Sequence, residues 1–256
     1  MSLSKKEFEE QYLAAREKEG RLYGMDQVRR LPNVRRSDPY YEEWKLRRKS
    51  AARFVKYLCL ESRCTRILEV GCGNGWFANY ILQNYFLAHP PSAPLPSFQL
   101  LGQDINAFEL KLAEEAFPDK RLKWTNENIF SITGEFDLIV FNASFHYFSE
   151  ITALLAHLDE QLAAHGDIHI LDSPFYETMK ELKAARQRTE KYFSGLGYPR
   201  LASIYTPHLY SELEELGFGT FYRPKKRNLF QKLFRIRSSP FPWLVYQKGS
   251  ARPAKN

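Results

Sequence analysis

Apolar residues along this chain fall into short runs typical of buried strands and longer stretches with helical spacing. The predicted strands are residues 65–70, 98–103, 122–124, 136–141, 167–171, 217–223 and 243–248. The predicted helices are residues 4–19, 38–62, 76–86, 107–116, 150–164, 175–194 and 208–216. From residue 65 onward the two kinds of segment alternate, which indicates strands joined by helical crossovers.

The order of the segments predicts an α/β fold with a doubly wound, mostly parallel, seven-stranded sheet. The last two strands follow each other with no helix between them, so we expect an antiparallel C-terminal edge. Residues 1–50 precede the alternating pattern and are expected to form an N-terminal helical cap. Residues 51–250 then form the main domain, with 175–207 as a helical insertion. Four prolines within 88–96 predict a loop.

Charge is distributed unevenly over the 256 residues, whose formal net charge is +7. Residues 1–50 contain 13 basic and 9 acidic side chains, and residues 223–256 contain 10 basic and no acidic ones. Basic ends of this kind can bind nucleic acid, or they can be a solvated surface. Both interpretations stay open from the sequence.

The cysteines and the apolar segments indicate in which cellular compartment the protein is expected. Cys59, Cys64 and Cys72 show no paired spacing, so we expect no disulfide framework and no metal site. The charged N-terminus lacks the apolar core of a secretory signal. No run of about eighteen apolar residues predicts a membrane span. A cytoplasmic protein without a membrane association is the expectation.

A glycine-rich segment, ILEVGCGNGWFA at residues 67–78, can be read in two frames. From Gly73 to Ala78 it fits the G-x-G-x-x-[GA] fingerprint of a dinucleotide site. From Glu69 to Gly75 it fits an acid-x-G-x-G-x-G loop that holds a methyl donor. Because both cofactors need a close approach of the backbone, the glycines alone do not choose between them.

Glu69 separates the two frames. A carboxylate at that position repels a pyrophosphate, whereas S-adenosylmethionine carries a positive sulfonium and an ammonium group. Asp104 ends the next predicted strand and can accept hydrogen bonds from two ribose hydroxyls. A dinucleotide site also requires such an acid, so Asp104 favours neither frame.

With these motifs the chain resembles the class I, seven-strand S-adenosylmethionine-dependent methyltransferases. The resemblance covers residues 65–172 by motif and 208–248 by architecture. It implies that S-adenosylmethionine binds here and leaves as S-adenosylhomocysteine. The implied cofactor-binding residues are Glu69, Gly71, Cys72, Gly73 and Gly75 in the loop, Asp104 at the ribose, Ile105, Asn128 and Ile129 at the adenine, and Asn142 beside the donor. Asn128 stands where the family often has an acid.

The acceptor side is predicted from polar and aromatic residues outside the glycine loop. His146 follows the fourth predicted strand and is the candidate general base, because its unperturbed pKa suits proton transfer. The residues predicted to line an acceptor pocket are Tyr40, Tyr41, Trp44, Tyr192 and Tyr205. Ordinary packing is the alternative for each of them. Arg29, Arg30, Arg35 and Arg36 could bind an anion but are expected to face water.

The sequence therefore predicts a methyltransferase that acts on a small molecule at oxygen or nitrogen. After the fourth strand the chain reads N-A-S-F rather than the N-P-P-[YF] or D-P-P-[YF] of enzymes that methylate amino groups of nucleic-acid bases. Three alternatives remain. They are an RNA methyltransferase that uses the basic termini, a non-catalytic S-adenosylmethionine-binding protein, and an NAD-dependent oxidoreductase that uses the other frame.

Overall fold

The computed structural model describes residues 4–60, 65–88, 98–224, 239 and 241–249. The helices are α1 (Lys5–Lys18), α2 (Met25–Val28), α3 (Tyr41–Leu60), α4 (Trp76–Ala88), α5 (Ala107–Ala116), α6 (Ile151–Gln161), α7 (Met179–Leu196) and α8 (Tyr210–Glu215). The strands are β1 (Arg66–Val70), β2 (Gln99–Gln103), β3 (Leu122–Thr125), β4 (Phe136–Asn142), β5 (Leu162–Leu171), β6 (Phe175–Tyr176), β7 (His208–Leu209), β8 (Gly219–Tyr222) and β9 (Trp243–Gln247). Short 3₁₀ helices cover Ile129–Ser131, Phe145–Tyr147 and Pro199–Ile204.

Seven of these strands form one sheet in the order β3-β2-β1-β4-β5-β9-β8. The first five are parallel to one another, and β9 is antiparallel to both of its neighbours. The predicted fold class is therefore confirmed. The direction of winding reverses between β1 and β4, and ligands of doubly wound sheets bind at the carboxyl ends of the strands near such a point.

Side chains of β4 alternate between two hydrophobic cores, one on each face of the sheet. Leu138 and Val140 pack against α3 and α4, while Ile139 and Phe141 pack on the face covered by α6 and α8. Because a strand exposes successive side chains to opposite faces, an uninterrupted apolar run must be buried on both. This double burial fixes the strand register and hence the positions of the strand ends.

Helix α1 lies near the carboxyl ends of β2 and β3. It begins with a capping box in which the Ser4 side chain accepts from the Glu7 backbone N–H. Lys5 Nζ donates to Asn126 Oδ1 at 2.6 Å, and the Glu9 carboxylate accepts a 2.7 Å hydrogen bond from the first turn of α5. These contacts attach the N-terminal helix to the edge of the sheet where a ligand is expected.

One predicted boundary between a helix and a strand is wrong. The helix predicted over 150–164 ends at Gln161, and β5 starts at Leu162 rather than at residue 167. Leu162 is buried and pairs with Phe136, and the register of the two strands shifts just after this pair. A strand that starts with such an irregularity lacks the regular alternation from which its beginning could be predicted.

A second predicted helix, 175–194, is also too long at its start. Residues Phe175–Tyr176 pair with His208–Leu209 as a separate two-stranded sheet. The helix begins only after Thr178, whose side chain accepts from the Glu181 backbone N–H at 3.2 Å. Because the partner strand His208–Leu209 lies about thirty residues further along the chain, the local sequence pattern around Phe175 could not predict this pairing.

Three smaller differences concern helix starts and one loop. The helix predicted at 208–216 begins at Tyr210. The helix predicted at 38–62 begins at Tyr41, after a turn in which Asp38 Oδ1 accepts from the backbone N–H two residues on. Helix α2 lies between the predicted helices 4–19 and 38–62, where no helix was predicted.

Two predicted features lie outside the described residues. They are residues 89–96 of the proline-rich segment and, in the basic C-terminal segment, residues 225–238, 240 and 250–256. In the parts of the chain that the structure describes, no helix has both the length and the apolar character needed to span a bilayer. The same parts contain no cluster of three His, Cys, Asp or Glu side chains placed to hold a metal ion.

Candidate functional site

The glycine loop joins β1 to α4 at the carboxyl edge of the sheet. Gly71, Gly73 and Gly75 have φ of 72°, 52° and 73°, which only glycine adopts at little cost. The backbone N–H groups of Gly71 and Cys72 both donate to the Gln103 carbonyl, at 2.8 and 2.9 Å. The loop is thereby fixed to the end of β2.

A cavity of about 510 Å³ opens above this loop, at the ends of β1, β2 and β4. Its wall contains nine of the ten residues that the resemblance implies for the cofactor: Glu69, Gly71, Cys72, Gly73, Asp104, Ile105, Asn128, Ile129 and Asn142. Gly75, the tenth, lies behind the wall, where a Cβ would come within 2.4 Å of Trp124. Ala78, which completes the dinucleotide frame, is fully buried in the core. We call this space the donor cavity.

Two carboxylates, Glu69 and Asp104, lie in the wall of the donor cavity. Asp104 accepts hydrogen bonds from the backbone N–H groups of Gly73 and Asn106, each at 2.8 Å. Glu69 is only 1% exposed, and its Oε2 has no hydrogen-bond partner among the described residues. Burial raises the pKa of both carboxyl groups, and the charge of Asp104 raises that of Glu69 further. A positively charged or hydrogen-bond-donating ligand would relieve this unfavourable burial.

Another carboxylate in the wall of the donor cavity, Glu109, was missed by the sequence-based prediction. It lies in the first turn of α5, whose N-cap is Asn106. Burial, together with the charge of Asp104, raises the pKa of Glu109 to about 7. Because the first turn of a helix commonly carries an acid, nothing in the sequence pattern distinguishes this residue from an ordinary helix-start acid.

The remaining cofactor candidates follow β3 and β4. Asn128 caps the 3₁₀ helix Ile129–Ser131, and its Oδ1 accepts from the Phe130 backbone N–H at 2.9 Å. Ile129 is buried, while Ile105 is 39% exposed, and both line the cavity. Asn142 is the last residue of β4 and is buried at the cavity wall. Two apolar side chains and two amides thus lie in the same wall as the acids.

A second cavity of about 820 Å³ adjoins the donor cavity, and we call it the acceptor-side cavity. The residues that line both cavities form the junction between them: Arg16, Arg21, Glu43, Arg47, Ala143 and Tyr147. Helices α1 and α3 supply three of them, Arg21 follows α1, and the segment after β4 supplies the other two. A group that enters the acceptor-side cavity can therefore meet a ligand of the donor cavity at this junction.

The five aromatic residues predicted for the acceptor do not all lie in one place. Tyr192 and Tyr205 line the acceptor-side cavity, and Trp44 lines the donor cavity, where its Nε1 donates to the Tyr23 hydroxyl at 2.8 Å. Tyr40 and Tyr41 line neither cavity. The Tyr40 hydroxyl instead donates to the Glu19 carbonyl at the end of α1. The sequence pattern of aromatic residues does not show which of these side chains point into a cavity.

His146 lines the acceptor-side cavity, but its environment does not suit a general base. Its ring stacks on Tyr205, with centroids 5.1 Å apart, and Nδ1 has no hydrogen-bond partner among the described residues. Burial, with the nearby charges of Arg16 and Arg47, lowers the pKa of His146 to about 3. The imidazole is therefore uncharged at neutral pH and has little affinity for a proton.

The four arginines at positions 29, 30, 35 and 36 are all exposed and line neither cavity. The Arg29 guanidinium donates to the Glu115 carbonyl on α5. Their orientation agrees with the expectation that they face water.

Comparison with known proteins agrees with this geometry. Residues 68–168 match the family model of a methyltransferase domain. The protein has the class I methyltransferase fold. The resemblance inferred from the glycine loop is thus confirmed. Magnesium protoporphyrin IX methyltransferase from Synechocystis PCC 6803, solved with bound S-adenosylhomocysteine, has a similar fold with a TM-score of 0.56. The match covers 94% of this chain and 98% of that one at 12% identity.

Curated relatives of this chain differ in their named acceptors. Trans-aconitate 2-methyltransferase of Deinococcus radiodurans is 26% identical over 180 residues, which are 68% of this chain and 65% of that protein. Ribosomal RNA small subunit methyltransferase C of Pasteurella multocida is 26% identical over 118 residues, 43% of this chain and 33% of that protein. The chain thus spans less than two thirds of the length of either relative. Their names do not agree on one type of acceptor.

Proposed function

We propose that this protein binds S-adenosylmethionine in the donor cavity and transfers its methyl group to an oxygen or nitrogen of a small molecule. The observation that carries the proposal is the pair of carboxylates, buried Glu69 and half-buried Asp104, beside a cavity that continues into a second one. A cationic donor stabilises buried carboxylates that otherwise lack a counter-charge.

Each group of the donor has a suitable partner in the wall of the cavity. Asp104 would accept from the ribose hydroxyls, and Glu69 would stabilise the positive end of the donor directly or through the loop. A Cβ built at Gly73 meets no atom within 4 Å, so the backbone there leaves room for the ligand. Ile105 and Ile129 would pack on the adenine. Bound S-adenosylmethionine supplies an electrophilic methyl group together with its own leaving group.

The shape of the acceptor-side cavity favours a small molecule. It lies between α1, α3 and α7, and aromatic side chains such as Tyr176, Phe193 and Phe241 contribute to its wall. The segments 1–50 and 175–207 thus supply much of the surface that an acceptor would contact. A volume of about 820 Å³ with aromatic side chains in the wall is typical of sites that bind small molecules.

Binding of the donor is expected to release protons near pH 7. The pKa of Glu109 is about 7 without ligand, and a cation in the same cavity favours the ionised carboxylate. The affinity for S-adenosylmethionine should therefore rise as the pH increases from 6 to 8. Calorimetry in buffers of different ionisation enthalpy measures the released protons. S-Adenosylhomocysteine, which lacks the sulfonium charge, should release fewer, and Glu109→Gln should reduce the release. Equal proton release by both ligands contradicts this electrostatic account.

Transfer of a labelled methyl group tests the proposed acceptor class. The full chain is incubated with methyl-labelled S-adenosylmethionine and a cell extract separated into small molecules, RNA and protein. We expect label in the small-molecule fraction on oxygen or nitrogen. Label confined to RNA or protein contradicts the proposal. Donor binding without labelling of any fraction indicates the non-catalytic alternative.

An RNA acceptor is the second candidate, because basic residues are concentrated at the two ends of the chain. Binding of RNA through these ends would weaken steeply as salt is increased, since each phosphate contact releases a counterion. Titration of RNA between about 50 and 200 mM salt measures this dependence. Weak RNA binding without a salt dependence excludes the candidate.

A further inference from the structure

Asp172, the residue directly after β5, lies in the wall of the acceptor-side cavity. It is only 8% exposed. Its Oδ1 accepts from Ser50 Oγ at 2.7 Å and from Ser239 Oγ at 3.1 Å. Its Oδ2 is buried and has no hydrogen-bond partner among the described residues. The two serines hold the carboxylate in place and leave half of its acceptor capacity unused.

The position of Asp172 brings it close to the junction of the two cavities. Ala143, which lines both cavities, donates its backbone N–H to the carbonyl of Leu171 at 2.9 Å. Ala143 and Asp172 both have left-handed backbone conformations, with φ of 58° and 49°. Non-glycine residues in this conformation cost about 1–3 kcal/mol each and are concentrated at functional sites. Both strand ends are thus held in an unusual conformation beside the place where the two ligands would meet.

The other groups around this junction are poor proton acceptors. The guanidinium of Arg21 and the charge of Arg47 lower the pKa of Glu43 to about 2, although its burial opposes the shift. Burial raises the pKa of the Tyr147 hydroxyl well above its usual value, so the phenol stays protonated. His146 has a pKa of about 3. Burial raises the pKa of Asp172, which makes it a stronger base than an ordinary carboxylate.

We propose that Asp172 binds the methyl acceptor through an O–H or N–H group and receives its proton. The acceptor is then an uncharged hydroxyl or amine compound, not a carboxylate, which Asp172 would repel. The acceptor's lone pair forms the bond to the methyl carbon, and the bond from that carbon to sulfur breaks with its electron pair left on sulfur. The proton of the acceptor moves to the Asp172 carboxylate, so the positive and negative charges disappear together. This inference rests on the proposed function.

Binding of two small probes to the protein saturated with S-adenosylhomocysteine tests the inference. Phenol presents an uncharged O–H group, and benzoate presents a carboxylate on the same ring. At neutral pH we expect calorimetry to show tighter binding of phenol than of benzoate. Asp172→Asn should weaken phenol binding about tenfold, since a hydrogen bond to a charged group is lost, and should reduce the preference over benzoate.

Asp167→Asn is the matched control, because Asp167 is on the same strand, accepts from the Tyr57 hydroxyl and lines neither cavity. It should leave phenol binding unchanged. Asp172→Asn should keep or raise the thermal stability, because an ionised buried group is replaced by an isosteric neutral one.

Three results would each overturn the assignment of Asp172. They are a preference for benzoate, phenol binding that Asp172→Asn does not change, and no phenol binding up to its solubility limit. Failure of S-adenosylhomocysteine to bind at all instead counts against the proposed function. The two failures are thereby distinguished.

Discussion

Replacement of Asp104 by alanine should weaken S-adenosylmethionine binding more than tenfold. The ribose hydroxyls would lose their hydrogen bonds to the Asp104 carboxylate, and hydrogen bonds to a charged group contribute about 1.5–3 kcal/mol each. The replacement would also remove the acceptor of the Gly73 and Asn106 backbone N–H groups, which now donate to Asp104 at 2.8 Å. Isothermal titration of the variant and the unmodified chain measures the change, since a tenfold loss of affinity corresponds to about 1.4 kcal/mol.

Asp119→Ala is the control for the Asp104 variant. Asp119 also accepts from a backbone N–H, that of Arg121 at 2.9 Å, but it lines neither cavity. Its replacement should leave donor affinity unchanged. Circular dichroism checks that both variants fold. If Asp104→Ala folds and binds the donor as well as the unmodified chain, the proposed ribose site is wrong.

Alanine at Gly75 should destabilise the fold more than alanine at Gly73. At Gly75 the new Cβ would lie 2.4 Å from the Trp124 ring and 2.8 Å from Ala113 Cβ, in a backbone with φ of 73°. The left-handed conformation costs about 1–2 kcal/mol and the overpacking about 1–3 kcal/mol. Thermal unfolding should show a Tm lowered on the order of 10 °C. At Gly73 only the conformational cost applies, because its Cβ meets no atom within 4 Å.

The two glycine variants should also differ in ligand binding. Gly73 lines the donor cavity, so Gly73→Ala should lower donor affinity at a modest cost in stability. Gly195→Ala in α7 serves as a control without a positive φ or a nearby atom, and it should be neutral or slightly stabilising. Equal stability of the Gly73 and Gly75 variants contradicts the packing role assigned to Gly75.

The fold was largely predictable because its strands are buried on both faces. Apolar runs such as 136–141, separated by helical segments, leave few alternatives to a mostly parallel sheet. The donor side was predictable for a related reason. Glycines and acids directly after buried strands, such as Gly71 and Asp104, must lie at the carboxyl edge, where the strand ends meet.

The acceptor side could not be predicted to the same extent, because its residues come together only through tertiary packing. Tyr40 and Tyr192 both lie in predicted helices, yet only Tyr192 lines a cavity. His146 has the expected location, but burial takes its pKa far from neutrality. Asp172 follows an apolar strand just as Asp104 does, and this position was the signal that could have identified it.

Calorimetric titration of S-adenosylmethionine into the full chain tests the central claim most directly. The account predicts saturable binding at one site per chain, with affinity that rises from pH 6 to 8 and falls more than tenfold in Asp104→Ala. Absence of binding by the folded protein at any pH in this range contradicts it.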